Sequence, residues 1–226
     1  MEMGAPRLDV YRDIHKAVRA ELFEGARRLG RADWRDQAEV EALQARVGRL
    51  IVELRDHVRH EEEHMHPLIE RRVPGAVGVL RADHEQQEAF LDEFEAFAER
   101  VFAMAPDDPM RARAGLEVYR ALSRFIAVYL PHLEHEETTI TRALWELSTN
   151  EEIAETYGRL IGTMPREELR GSLAIMLPAI SPPERVELLG GVRAGMPDFY
   201  DEAAAVAQRV LSADEWSALQ RTLAGG

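Results

Sequence analysis

Cysteine is absent from the 226 residues of the chain. That absence removes disulfides, thiolate zinc sites, iron–sulfur clusters and cysteine nucleophiles together, so any metal must be held by imidazole and carboxylate. Long apolar runs are lacking as well: LAIMLPAI is among the longest and is far too short for a membrane span. The N-terminal MEMGAPRLDVYRD has no apolar stretch of the kind a signal peptide carries. Basic charge is in deficit, 28 Lys plus Arg against 41 Asp plus Glu for a net charge of −13, with no dominant basic cluster. Nucleic acid is therefore excluded as an expected partner. These absences describe a cytoplasmic protein that engages neither a membrane nor nucleic acid.

What is present is rich in Ala, Leu, Glu and Arg, with Pro and Gly gathered at intervals, the pattern of helices joined by short turns. An all-α protein is expected. The first helix runs from about 8 to 29, with Tyr11, Ile14, His15, Val18, Leu22, Ala26 and Leu29 on one stripe. A second starts near Asp36, paired with Glu39 as a capping box, and ends near Arg72. The third covers about 77 to 104. A fourth follows Asp108 and Pro109, an N-cap and a first-turn proline, and reaches about Leu147, with a kink expected at Pro131. Four long helices with short connections predict an up-down-up-down bundle over 1–148. From Thr149 the pattern shortens, and Thr149 with Glu152, Ser181 with Glu184 and Ser212 with Glu215 each fit a capping box, while Pro165, Pro182 and Pro197 suit first turns. Residues 149–226 are thus expected to form an extension of four or five short helices. All 8 histidines fall between 15 and 135, so the chemistry belongs to the bundle.

The segments HVRHEEEHMHPLI (57–69) and HLEHEETTITRAL (132–144) share H-x-x-H-E-E, and each sets a histidine four residues before a glutamate. Residues i and i+4 of a helix lie one above the other, so His57 with Glu61, and His132 with Glu136, each aim a nitrogen and a carboxylate at one point. The stripe of the second helix, Val40, Leu43, Val47, Leu50 and Leu54, steps onto His57, Glu61, His64 and Leu68. That of the fourth, Val118, Leu122, Phe125 and Tyr129, steps onto His132 and Glu136. Each half of the bundle is a helix with one stripe histidine, His15 or His84, followed by a helix with HxxxE. A pseudo-twofold axis relating the halves faces the two motifs toward each other. Burying two carboxylates together costs several kcal/mol per ion, and no cationic side chain shares those stripes, so bound divalent metal resolves the conflict. Six donors at two points exceed a tetrahedral zinc site, and mixed imidazole and carboxylate suits iron or manganese. A ferritin-like site needs ExxH on two helices; Glu61 to His64 supplies one, and Arg81 and Tyr129 stand where a second would begin.

The ordered set of His15, His57 with Glu61 and then Pro67, His84, and His132 with Glu136 resembles the hemerythrin-like (HHE cation-binding) family over roughly residues 8–147. The resemblance implies a non-heme centre of two iron ions bridged by an oxo or hydroxo group, with manganese and zinc ranked behind iron. It implies that Glu61 and Glu136 bridge the metals, that His15 and His57 serve one iron, and that His84 and His132 serve the other. Oxygen-carrying members have HxxxH on the third helix, whereas the residue four after His84 is Glu88, so either Glu88 is a ligand or that iron has one ligand fewer. They also place the bridging carboxylate five residues after the histidine, which would select Glu137; Glu136 is preferred because it shares the stripe of His132. His64 stands as an alternative ligand and Tyr129 as a hydrogen-bond donor behind the ligands. His60, His66 and His135 fall off the stripes and are expected to face solvent.

The resemblance implies binding or sensing of a small ligand such as dioxygen, nitric oxide or peroxide, or of iron itself. Two alternatives stand beside it: an oxidase or peroxidase in which the ligand turns over, and an interaction module whose metal only pins the bundle. The extension, with IGTMPREEL, LPAISPPERVELL and MPDFYDE, is similar to segments that follow hemerythrin-like domains in some multidomain iron-responsive proteins. Read on its own it is a helical cap or a homodimer contact.

Overall fold

The computed structural model describes residues 7–75 and 77–225; residues 1–6, part of the stretch read for an apolar leader, lie outside the described residues. Among the described residues all regular structure is helical, with no strand. The helices are α1 (Arg12–Arg31), α2 (Gln37–His60), α3 (His66–Arg72), α4 (Gly78–Phe102), α5 (Arg111–His135), α6 (Thr141–Leu147), α7 (Asn150–Thr163), α8 (Arg166–Ala179), α9 (Pro182–Gly195), α10 (Tyr200–Val210) and α11 (Ala213–Gly225). None is long and apolar enough to cross a membrane. They fall into two compact units, one holding Arg7 and residues 21–156, the other residues 8–20 and 157–225, so that α1 and α7 are each divided between units.

In the first unit α4 packs against both α2 and α5, and α3 packs against α6. The period-3.6 stripe explains the pairing: Val40, Leu43, Val47, Leu50, Ile51 and Leu54 of α2, Leu91, Phe94 and Ala98 of α4, and Val118, Leu122 and Phe125 of α5 are all buried. Each of these side chains larger than alanine contributes roughly 1.5–3 kcal/mol by leaving water. Asp36 caps α2, its carboxylate accepting the N–H groups of Ala38 and Glu39 at 2.9 and 3.3 Å. Glu39 does not close the expected box; its carboxylate takes the Asp33 N–H instead, at 3.2 Å. Helix α5 begins at Arg111, two residues beyond Pro109, because Asp108 first satisfies the Met110 N–H at 2.8 Å. It then continues through Pro131 to His135. One end of the unit is closed by Trp34, which stacks on Phe102 with ring centroids 5.8 Å apart. Gly115 faces Trp34 so closely that a Cβ there would lie 2.0 Å from the indole.

Two irregularities position the chemistry. The rod that starts as α2 does not pass directly into α3: Glu61–Met65 form a π-helical turn between them. The rod that starts as α5 does the same at Glu136–Ile140 before α6. Single π turns inside α-helices alter the facing of everything beyond them. Pro67 follows the first and has no N–H to offer the Glu63 carbonyl as an α-helix would require, whereas no proline accompanies the second.

The second unit is built around Ala17, Leu173, Leu177, Leu189, Phe199, Ala203, Val206, Leu219 and Leu223. The α1 segment is fastened to it by Lys16 on Glu184 at 2.5 Å and Arg12 on Glu187 at 2.9 Å. Ser181 with Glu184 and Ser212 with Glu215 form reciprocal caps there, and in the first unit Thr149 with Glu152 does so too. Pro182 opens α9, and Pro165 sits just before α8. Pro197 lies in the turn preceding α10 rather than in its first turn.

Candidate metal centre

The apolar stripe of α2 ends at His57 in its last turn, and Glu61 opens the π turn that follows; His132 and Glu136 repeat this arrangement at the end of α5. Helix α4 brings His84 between them. All five side chains are buried. Within each motif the i, i+4 spacing produces the expected approach, His57 Nε2 to Glu61 Oε1 at 3.1 Å and His132 Nε2 to Glu136 Oε2 at 3.4 Å. Between helices, Glu61 Oε2 lies 3.4 Å from His84 Nε2, and His84 Nε2 lies 3.1 Å from His132 Nε2. Glu61 therefore presents one oxygen to an imidazole of its own rod and the other to an imidazole of α4. One ligand atom from each of Glu61, His84, His132 and Glu136 falls within 4.8 Å of the other three, and the same holds among His57, Glu61 and Glu136. The two carboxylates belong to both groupings.

The outer ring nitrogens are also directed. His84 Nδ1 meets Glu62 Oε1 at 3.1 Å, and His132 Nδ1 meets Asp83 Oδ2 at 3.4 Å. A carboxylate on Nδ1 fixes the tautomer that leaves Nε2 with its lone pair toward the cluster and raises its basicity, the usual arrangement behind a metal-binding histidine. Burial drives the Glu136 carboxyl well above the usual range, and the neighbouring Glu61 carboxylate adds to the shift. Burial pulls His84 down, but Glu61 and Glu62 outweigh it and the net shift is upward. His132 is lowered, by burial foremost. In the absence of a cation, protons must take up part of the load that two buried carboxylates create.

His15 is buried on α1 within the second unit, its ring 5.0 Å from that of Tyr11. Glu88 is not brought to the cluster. It is exposed and holds Arg55 Nε at 2.8 Å, because α4 turns its i+4 position outward from His84. Gln87, one residue earlier, is the buried neighbour, and its Oε1 has no hydrogen-bond partner. His64 and Glu137 are partly exposed and belong to neither grouping, since each π turn rotates the residues after its glutamate away from where an α-helix would put them. Tyr129 is fully buried one turn before His132, ring centroids 5.9 Å apart, and its hydroxyl has no partner. Burial, then Glu61 and Glu136, push that hydroxyl well above its ordinary value, so it stays protonated.

His66 corrects the sequence reading outright. Counted at 3.6 residues per turn it falls away from the stripe, yet it is completely buried, with its ring 5.3 Å from that of His84 and only 9° from parallel. The π turn is the reason: the His66 N–H bonds the Glu61 carbonyl, five residues back, which stacks His66 on the face that carries Glu61. Both ring nitrogens are buried without a partner, a condition that costs roughly 1–3 kcal/mol per group. Burial, foremost, lowers its pKa to about 4, so the ring is neutral. Pro67, next to His66, was the one local signal, though α5 runs through Pro131 without a change of count. His60 and His135 are partly exposed.

The donor set fits a metal. Imidazole nitrogens meet carboxylate oxygens around two shared carboxylates, and the paired Nε2 atoms of His84 and His132 converge without an acceptor between them. Against known proteins, residues 7–144 match the family model of the hemerythrin HHE cation binding domain. Neither the curated proteins nor the solved structures yielded a match to the chain.

Proposed function

Because the chain belongs to the hemerythrin HHE cation-binding family, we propose that it is a cytoplasmic non-heme di-iron protein, built on an up-down-up-down four-helix bundle, that binds or senses a small ligand. Dioxygen, nitric oxide and peroxide are the candidate ligands, with iron availability itself as a further signal. The observation that carries the reading is Glu61, with one oxygen 3.1 Å from His57 and the other 3.4 Å from His84. A carboxylate held between two imidazoles of different helices is what a bridged pair of metal ions requires. His57 would hold one metal with Glu61 and Glu136 and, by the family pattern, with His15. His84 and His132 would hold the other with the same two carboxylates. Mixed nitrogen and oxygen donors favour iron or manganese over a tetrahedral zinc site. When bound, the metal supplies a Lewis acid and an electron source at any coordination position the protein leaves open.

Turnover as an oxidase or peroxidase is the second reading, and Tyr129 favours it: a protonated hydroxyl, fully buried and close to both carboxylates, is placed to deliver a proton. Metal analysis after anaerobic loading tests the common premise. About two irons per chain are expected; one zinc and no iron would sink the di-iron reading. Mixing the reduced protein with air separates the two functions. A lasting visible absorption change, with oxygen uptake stoichiometric in protein, marks a binder or sensor, and continued oxygen consumption with a reductant marks an oxidase.

A further inference from the structure

The π turns that open at Glu61 and Glu136 make the two halves comparable, and the comparison isolates one residue. In the second half the residue whose N–H reaches back five positions to the glutamate carbonyl is Thr141, and its hydroxyl is occupied, bonding the Glu136 carbonyl at 2.9 Å. In the first half that residue is His66, whose two nitrogens are occupied by nothing. His66 lies flat against His84 at 5.3 Å, and its nitrogens belong to neither ligand grouping. A buried imidazole with idle nitrogens beside the ligands calls for a partner that arrives from outside the chain. It is present on the His84 side alone.

We propose that His66 receives the exogenous ligand, donating an imidazole N–H to a small anion or other lone-pair-bearing molecule held at the His84–His132 metal position. This inference rests on the metal centre proposed above. It makes the two metal positions inequivalent, with ligand capture assigned to the one beside His66. It also gives a reason for the π turn in this rod, since only that turn brings residue 66 onto the face of Glu61.

The test uses the full-length ferric protein and azide as the probe, followed by visible absorption, with metal content measured on the same samples. His66→Phe keeps a ring in place and removes the donor; azide affinity is expected to fall on the order of tenfold or more, the loss of one hydrogen bond to a charged group, with iron content unchanged. His66→Gln, which retains a donor, is expected to recover part of the loss, and it serves as the second variant should the phenylalanine disturb folding. Azide affinity unchanged in both variants at full iron content would make His66 a packing residue and overturn the proposal. Loss of iron in His66→Gln would make it a metal ligand, which overturns it differently. A wild-type chain that takes up no iron would remove the metal centre itself, a failure read from the metal analysis alone.

Discussion

The Nε2 atoms of His84 and His132 lie 3.1 Å apart, on different helices and fully out of water. Two nitrogen lone pairs at that distance repel, so something positive must stand between or beside them: a shared proton or a cation. Asp83 and Glu62 hold the opposite edges of the two rings and so keep both Nε2 atoms turned inward. The protein has thus fixed the donors before any ion arrives, which lowers the reorganisation that binding would demand.

If a metal is the intended occupant, the shared carboxylates are its most exacting requirement. Glu61→Ala and Glu136→Ala are each expected to lose most bound iron and, with it, the stability that binding confers, roughly 3 kcal/mol at a free metal concentration a hundred times the dissociation constant. Elemental analysis and thermal melts with and without metal read both effects. Full iron content in either variant would refute the bridging assignment.

Metal loading should also release protons. Without metal, burial and Glu61 keep Glu136 protonated well above the usual carboxyl range, and the His84 pKa is raised as well. Both groups must give up their protons to serve as ligands, so affinity falls as pH falls. Titrating metal into weakly buffered protein with a pH indicator is expected to show acidification that tracks the metal bound. Loading at neutral pH with no proton release would contradict the electrostatics described for the cluster.

How much of this was legible in the sequence divides at the π turns. Up to His57 and His132 the stepping of apolar residues by three and four holds, and the helix bounds and buried faces follow from it. Each glutamate opens the π turn and still lies four residues after its histidine, so it too was correctly placed. Beyond it the period changes, so His64, which shares the α-helical stripe, turns out to be partly exposed, while His66, which does not, is buried. The sequence left Glu88 open as a ligand for another reason: Arg55 on the neighbouring helix holds its carboxylate at the surface. Partners across helices are not visible in one helix's periodicity. The division of α1 between two units has no local signature either, because Ala17 and Lys16 find their contacts more than a hundred residues later in the chain.

At the far end of the first unit, Gly115 is fixed by Trp34. Gly115→Ala would put a methyl 2.0 Å from the indole, which must move off Phe102 to admit it. Overpacking of this kind typically costs about 1–3 kcal/mol. Chemical denaturation should show that loss, with iron stoichiometry intact because the cluster lies beyond the opposite ends of α2 and α5. Unchanged stability would mean that Trp34 is free to repack.

Tyr129 offers a test with the opposite sign. Its hydroxyl is buried, partnerless and near two carboxylates, so Tyr129→Phe removes an unsatisfied group without changing the ring. The metal-free variant is expected to match the wild type or exceed it by roughly 1 kcal/mol, with iron content preserved. If the oxidase reading holds, oxygen consumption slows in this variant while binding of azide does not change. A clear destabilisation would reveal a hydrogen bond to the hydroxyl and remove it as a free proton donor.

Glu53, one turn before His57, contributes to the pH response of the metal-free fold. Burial, followed by the Glu21 carboxylate, raises its pKa to about 7 from 4.5. The folded state therefore holds a proton that the unfolded chain has already released between those values. With more protons bound when folded, stability falls as pH rises through that window, and the deficit is complete above about 7. Glu53→Gln cannot lose a proton, so its stability relative to the wild type should be constant below 4.5, climb through the window, and level off roughly 3 kcal/mol higher at alkaline pH. Urea denaturation of both metal-free proteins across that range measures the difference directly. A difference independent of pH would show that Glu53 titrates alike in both states, and that Arg46 and Arg49 neutralise it more fully than their placement implies.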